Sequence, residues 1–177
     1  MSKKPIRLGL VLLAVGVATA LVLPLIAQAQ EQPITVEILS PRSVFTDDVD
    51  LQFRYALDDN PTKAINSLTP SRTVVARITV QPGAQFPWHT HPGPVLVNVA
   101  QGELVYVQAA DCVERSYASG TAFVDPGRGN VHTAFNPTGG DTILIATFFE
   151  APASGALTIP AAAPDGCEVA AGTHASH

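Results

Sequence analysis

Short runs of Val, Ile, Thr, Phe and Tyr, broken by Gly, Pro, Asp and Asn, recur from residue 34 onward, and few stretches carry the 3.6-residue period of a helix. The runs predict strands at Ile34–Ile38, Leu51–Leu57, Thr73–Val80, Val95–Ala100, Glu103–Gln108, Thr121–Val124, Val131–Asn136 and Thr142–Glu150. In Thr73–Val80, Val75, Ile78 and Val80 share the run with Arg77 and Thr79. Thr142–Phe149 is more uniformly apolar, as expected of a central strand covered on both faces. Turn residues separate the runs at Asp58-Asp59-Asn60-Pro61, Gln81-Pro82-Gly83, Gln101-Gly102, Asp125-Pro126-Gly127 and Asn136 to Asp141. Between Val44 and Ile65 a strand competes with a short helix after the N-cap-like Thr46-Asp47-Asp48. The pattern predicts one all-β domain, a barrel or jelly roll.

A different pattern fills the N-terminus. Lys3, Lys4 and Arg7 precede residues 8–27, in which 16 of 20 residues are apolar and none is charged, and Ala27-Gln28-Ala29 follows. This is the layout of a secretory signal peptide over residues 1–29, cut after Ala29. A run of about 20 apolar residues also suffices to span a bilayer, so a retained anchor over residues 8–27 is the alternative. Pro24 and the Ala-x-Ala site favour cleavage, and both outcomes place the body outside the cytoplasm.

Removing that segment changes the charge. The whole chain has 177 residues and a net charge of −5. Without Lys3, Lys4 and Arg7, seven Lys and Arg face 15 Asp and Glu, a net charge of −8. An acidic body without a basic patch excludes nucleic acid as a partner, because phosphate neutralisation needs clustered Lys and Arg. In an oxidising compartment the two cysteines are expected to pair, and two allow a single bridge, Cys112–Cys167. The bridge would tie the Pro/Ala-rich extension, residues 151–177, back to the body.

Five histidines remain, and their placement carries the candidate chemistry. His89 and His91 are one residue apart, so on an extended strand both imidazoles leave the same face and can share a metal ion. His132 opens another predicted strand. Three neutral imidazoles suit Fe, Mn, Zn, Ni or Cu to differing degrees. His174 and His177 read as tail residues. The flanking residues then add context: Gly83-x5-His89-x-His91-x3-Val95-x6-Gly102 resembles the first motif of the cupin superfamily, and Gly120-x5-Pro126-x2-Gly129-x2-His132-x3-Asn136 resembles the second, with one extra residue between Pro126 and His132. The resemblance covers about Thr73 to Glu150. It implies a small jelly-roll β-barrel (residues 73–150), with residues 30–72 packing on it as strands and linker. It implies His89, His91 and His132 as ligands of a divalent transition metal in the barrel mouth. It further implies a small-molecule ligand, an oxygenase, isomerase or lyase as the chemistry if there is turnover, and a homodimer through strand edges.

One departure stands out. The acidic ligand of the cupin motif falls on Val95, and neither Leu96 nor Asn98 replaces it, while Glu103 lies beyond the Gly102 turn. Three readings stay open: an all-His metal site with free positions, as in some cupin thiol dioxygenases; a weak metal site lacking the charge that offsets a divalent cation; or a metal-free binding module whose imidazoles hydrogen-bond a small ligand, or an envelope-associated structural domain. Trp88, Gln85, Tyr106 and Asn136 are candidate supporting groups, and Arg128 is a candidate anion contact or a solvated loop residue. A blue-copper site is excluded, since the single Met is Met1, and neither a nucleophile elbow nor a phosphate-binding loop occurs.

Overall fold

Alternation of side chains across a strand builds this protein. A computed structural model describes residues 33–58, 61–67 and 70–169. The signal peptide expected over residues 1–29, His174 and His177 lie outside the described residues. Twelve strands follow in order: β1 Ile34–Val44, β2 Leu51–Tyr55, β3 Lys63–Ser67, β4 Arg72–Val80, β5 His89–Thr90, β6 Val95–Gln101, β7 Glu103–Gln108, β8 Glu114–Ala118, β9 Ala122–Asp125, β10 His132–Phe135, β11 Thr142–Phe148 and β12 Ile159–Pro160. They form two five-stranded antiparallel sheets, ordered β1-β4-β11-β6-β9 and β12-β5-β10-β7-β8, and a separate β2-β3 hairpin. No helix occurs among the described residues, so the alternative of a helix after Asp48 falls away.

The central strand β11 shows the logic. Thr142, Leu144, Ala146 and Phe148 are buried while Ile143, Ile145 and Thr147 are half-buried, a two-residue period laid over an almost wholly apolar sequence. Its neighbour β4 turns Val74, Ala76, Ile78 and Val80 inward. The inward set therefore starts at Val74, and Val75 lies with Arg77 and Thr79 on the outer face. These residues join Val97, Val99, Leu104, Tyr106 and Phe123 in one core between the sheets. A smaller cluster of Val105, Val107 and Phe135, with Trp88, Cys167 and Val169 against it, covers the outer face of the second sheet.

Three strands have weak signals in the sequence: β3, β8 and β12. In β8 the half-buried or buried positions alternate with Glu114 and Ser116, a pattern short of apolar residues. β12 sits in the Pro/Ala-rich extension. That extension adds no core of its own, yet it pairs Ile159 with Thr90 and Pro160 with His89, and Ala161 N–H donates to the Trp88 carbonyl at 3.0 Å. Cys112 and Cys167 are joined by a disulfide, with Cα atoms 5.6 Å apart, which fastens the extension to the loop after β7.

Candidate metal centre

The second sheet brings the histidines together. β10 pairs with β5 so that His132 stands opposite His89, and His91 follows directly at the end of β5. The strand carrying the pair is only two residues long, but His89, His91 and His132 all line the same cavity and are all buried. Their ring centroids are 4.2 to 5.1 Å apart. One nitrogen from each lies within 4.8 Å of the others, against about 3.4 Å for two nitrogens sharing a tetrahedral ion. The three donors are close enough to share one ion after a modest contraction of the cage.

Backbone carbonyls set the tautomers. His89 Nδ1 lies 2.6 Å from the Pro87 carbonyl and His91 Nδ1 2.8 Å from the Leu157 carbonyl. A carbonyl only accepts, so each Nδ1 carries the proton and each Nε2 keeps a bare lone pair turned away from those carbonyls. His132 Nδ1 faces the Asn130 carbonyl at 3.3 Å in the same manner. Burial lowers the pKa of His89 to about 4, assisted by the neighbouring His132. Burial and the nearby His91 lower that of His132 to about 3. Both rings are neutral at pH 7, the state a metal needs. The donor set thus fits a divalent transition metal: three imidazole nitrogens on one cavity, each ring oriented through its far side.

A fourth group stands beside them. Asp125, the last residue of β9, is 1% exposed. Its Oδ1 accepts from Tyr106 Oη at 3.2 Å, Gly127 N–H at 3.1 Å and Asn130 Nδ2 at 3.2 Å. Its Oδ2 has no hydrogen-bond partner and lies 3.5 Å from His91 Nε2 and 3.4 Å from His132 Nδ1. Burial pushes the carboxyl above the usual carboxylate range, against the pull of His91 and of those hydrogen bonds. Tyr106, also pushed up by burial and by Asp125, accepts in turn from Gln108 Nε2 at 3.3 Å and Asn130 Nδ2 at 3.1 Å.

The loop after β9 is held close to the loop after β5. Gly127, at φ +58°, approaches so tightly that an added Cβ would stand 1.9 Å from the Gly93 carbonyl oxygen. Arg128 N–H donates to the His91 carbonyl at 2.8 Å, and Gly129 N–H to Thr90 Oγ1 at 3.1 Å. Arg128 is an exposed loop residue whose guanidinium is already engaged: its Nε donates to Glu150 Oε2 at 2.9 Å, its guanidinium pairs with the same carboxylate through Oε1, and Nη2 reaches the Asn66 carbonyl at 3.0 Å.

The other candidates separate by position. Tyr106 lines the cavity with its ring 5.1 Å from that of His132 and donates to Asp125. Trp88 packs on the outer cluster, Gln85 donates to Thr133 Oγ1, and Asn136 donates to the carbonyls of Val80 and Gly140 and so fixes the turn before β11. Val95 lines the cavity, as the motif register requires, while Asn98 is exposed with its Nδ2 turned to the Ile145 carbonyl. Sequence reading missed two groups, Asp125 and the Leu157 carbonyl. Asp125 sits in a run that reads as a turn, and only its place at the end of a strand beside Val95 could have marked it.

Two five-stranded antiparallel sheets enclose the core, and the two motif segments deliver His89, His91 and His132 to one inner cavity. The fold is that of a cupin. No family model matches the chain, and no curated protein does. Solved structures do resemble it in shape. The polyketide cyclase RemF from Streptomyces resistomycificus is 17% identical, with a TM-score of 0.44 over 54% of this chain, which spans 64% of the cyclase's length. KdgF from a Halomonas species is 18% identical, with a TM-score of 0.46 over 71% of this chain and 86% of that one. The cupin domain of an XRE-family transcriptional regulator from Enterobacter cloacae is 17% identical, with a TM-score of 0.45 over 68% and 99%.

Proposed function

We propose that this exported cupin binds a divalent transition metal through His89, His91 and His132 and admits a small, mainly apolar molecule beside it. The observation that carries the reading is the set of three buried imidazoles whose Nδ1 atoms are engaged by carbonyls, leaving a bare nitrogen on each ring. Three rings held by their Nδ1 atoms with their Nε2 atoms facing one cavity are arranged as ligands of a single ion. The cavity in front of the histidines has a volume of about 150 Å³ and is walled by Ala76, Ile78, Phe123, Leu144, Ala146 and Phe148. A space of that size takes a molecule of about the bulk of benzene. When bound, the metal would supply Lewis acidity or a site for an oxygen ligand. The protein's own residues hold the donors, exclude water and select an apolar molecule. The Cys112–Cys167 bridge supports an oxidising compartment and hence export.

Metal analysis of protein purified without an affinity tag tests this. Near-stoichiometric Fe, Mn, Zn, Ni or Cu that disappears in the H89A/H91A variant supports the reading. An absence of metal in both proteins, each correctly folded, rejects it in favour of a metal-free binding module.

A further inference from the structure

We infer that the cavity takes an amphiphile: a metal-binding polar head at the histidines and an apolar chain that leaves between β1 and β12 over Val36 and Ile38. The placement of the head rests on the three-His reading, and the path of the chain does not. The cavity that holds His89, His91 and His132 is not confined to the space around them. Its lining runs on to Val36 and Ile38 on β1 and to Leu157 and Thr158 just before β12. β1 and β12 are edge strands, so the cavity opens where both sheets end.

Strand register builds this path. Ile38 pairs with Ala76, Ala76 with Ala146, Ala146 with Val97 and Val97 with Phe123, and all five line the cavity. Directly opposed residues lie on one face of a sheet, so the five make a single row across its strands. Val36, Ile78 and Leu144 make a second row beside the first. Ala76 and Ala146 have the shortest side chains of the first row and are paired, which sinks the floor between β4 and β11. On β11 the Phe148 ring stands 5.3 Å from that of His91. From β11 to β1 is two steps between strands, about 10 Å.

Exposure along the rows shows where a ligand would gain most. Ala76, Ile78, Leu144 and Ala146 are buried, whereas Val36 and Ile38, on the same face, are 57% and 48% exposed. A lone exposed apolar side chain is ordinary on a protein surface. These two differ in being the outward end of the lining of a buried cavity. Ile159 on β12 adds a third exposed apolar side chain at the opposite edge. No Lys or Arg lines the cavity, and its one carboxylate, Asp125, belongs to β9 at the far edge of the first sheet. The opening thus offers apolar contact without charge, which suits a hydrocarbon chain and penalises a polar one that must shed its water.

The test titrates acetohydroxamate, butanohydroxamate and octanohydroxamate into the disulfide-intact chain, both Co(II)-loaded and chelator-treated, as wild type and as V36T/I38T. Calorimetry reads affinity, and the visible spectrum of Co(II) reads the head. Thr keeps the β-branched shape at both positions and adds a hydroxyl. A fully buried methylene is worth about fourfold in affinity and a half-buried one about twofold. Octanohydroxamate should therefore bind wild type at least tenfold more tightly than butanohydroxamate, and V36T/I38T should lose most of that ratio. A ratio near one in wild type overturns the inference, as does a ratio that V36T/I38T keeps in full; a Co(II) spectrum shifted by acetohydroxamate then leaves the three-His reading standing. Wild type that binds no Co(II) overturns the three-His reading and the placement of the head, and the same ratio in the chelator-treated chain decides the path of the apolar part. A wild-type dimer that V36T/I38T dissociates puts a second copy over the opening and overturns the inference. If V36T/I38T does not fold, the methyl NMR signals of Val36 and Ile38 in wild type decide: octanohydroxamate must shift them and acetohydroxamate must not, and unshifted signals overturn the inference.

Discussion

Val95 and Asp125 are cross-strand partners, an apolar side chain and a buried carboxylate set opposite one another on β6 and β9 at the edge of the histidine cage. The pairing puts the acid of this site on a strand that carries no histidine. The surroundings of that acid, the loops that clamp the cage and the strand that closes it each make a measurable claim.

Replacing Tyr106 by Phe removes the donor to Asp125 Oδ1 and the acceptor for Gln108 and Asn130, all buried or nearly so. A loss of about 1–2 kcal/mol in urea unfolding is expected. An unchanged value would show that the network does not hold the carboxylate.

Gly127→Ala should be far worse than its size implies. The substitution forces a side chain into a positive-φ position and against the Gly93 carbonyl. A destabilisation of more than about 2 kcal/mol is expected. Gly120→Ala is the control, at φ +86° but with open space around it, so the comparison isolates the clash from backbone strain.

Acid should destabilise the metal-free protein. Folded His89 and His132 titrate at about 4 and about 3, below the value of about 6.5 for an unfolded imidazole. Between those limits the unfolded chain binds protons that the folded chain refuses. Their contribution is therefore complete above pH 6.5 and is lost as pH falls towards the folded values. Asp125, with its pKa raised, acts in the opposite sense, so one carboxyl partly offsets two imidazoles. Melting temperature after chelator treatment should fall between pH 7 and 4.5, and His132→Asn should flatten the slope. A melting temperature that rises with acid would contradict the burial of these rings.

Cutting the disulfide should be felt at the cage. The bridge closes a loop with a sequence separation of 55, and removing it as Cys112→Ser/Cys167→Ser should cost about 2–4 kcal/mol. It also loosens the extension whose Leu157 carbonyl orients His91. Removal of such an orienting contact typically weakens a metal site by 10- to 100-fold. Urea unfolding and Co(II) titration of the oxidised and variant proteins measure the two effects separately.

Much of the barrel was legible because a core-facing strand must alternate or, when covered on both faces, stay apolar. β4, β6, β7 and β11 all announce themselves in this way. The three histidines were legible because one-residue spacing on extended chain fixes a shared face, and the flanking glycines mark the turns around it. β3, β8 and β12 were obscure, being short strands with few apolar residues. Asp125 was obscure for another reason: its partner is set by register between two strands, and an Asp before Pro-Gly reads first as a turn. The Leu157 carbonyl has no side-chain signature at all, since any residue there would offer the same oxygen.

That carbonyl has a consequence for how the centre comes into being. Leu157 is synthesised after His89, His91 and His132, so an unfinished chain owns every imidazole before it owns the group that orients one of them. Until then His91 can spin and present either nitrogen. A product truncated before Leu157 would therefore keep all three histidines while lacking the carbonyl that aims His91.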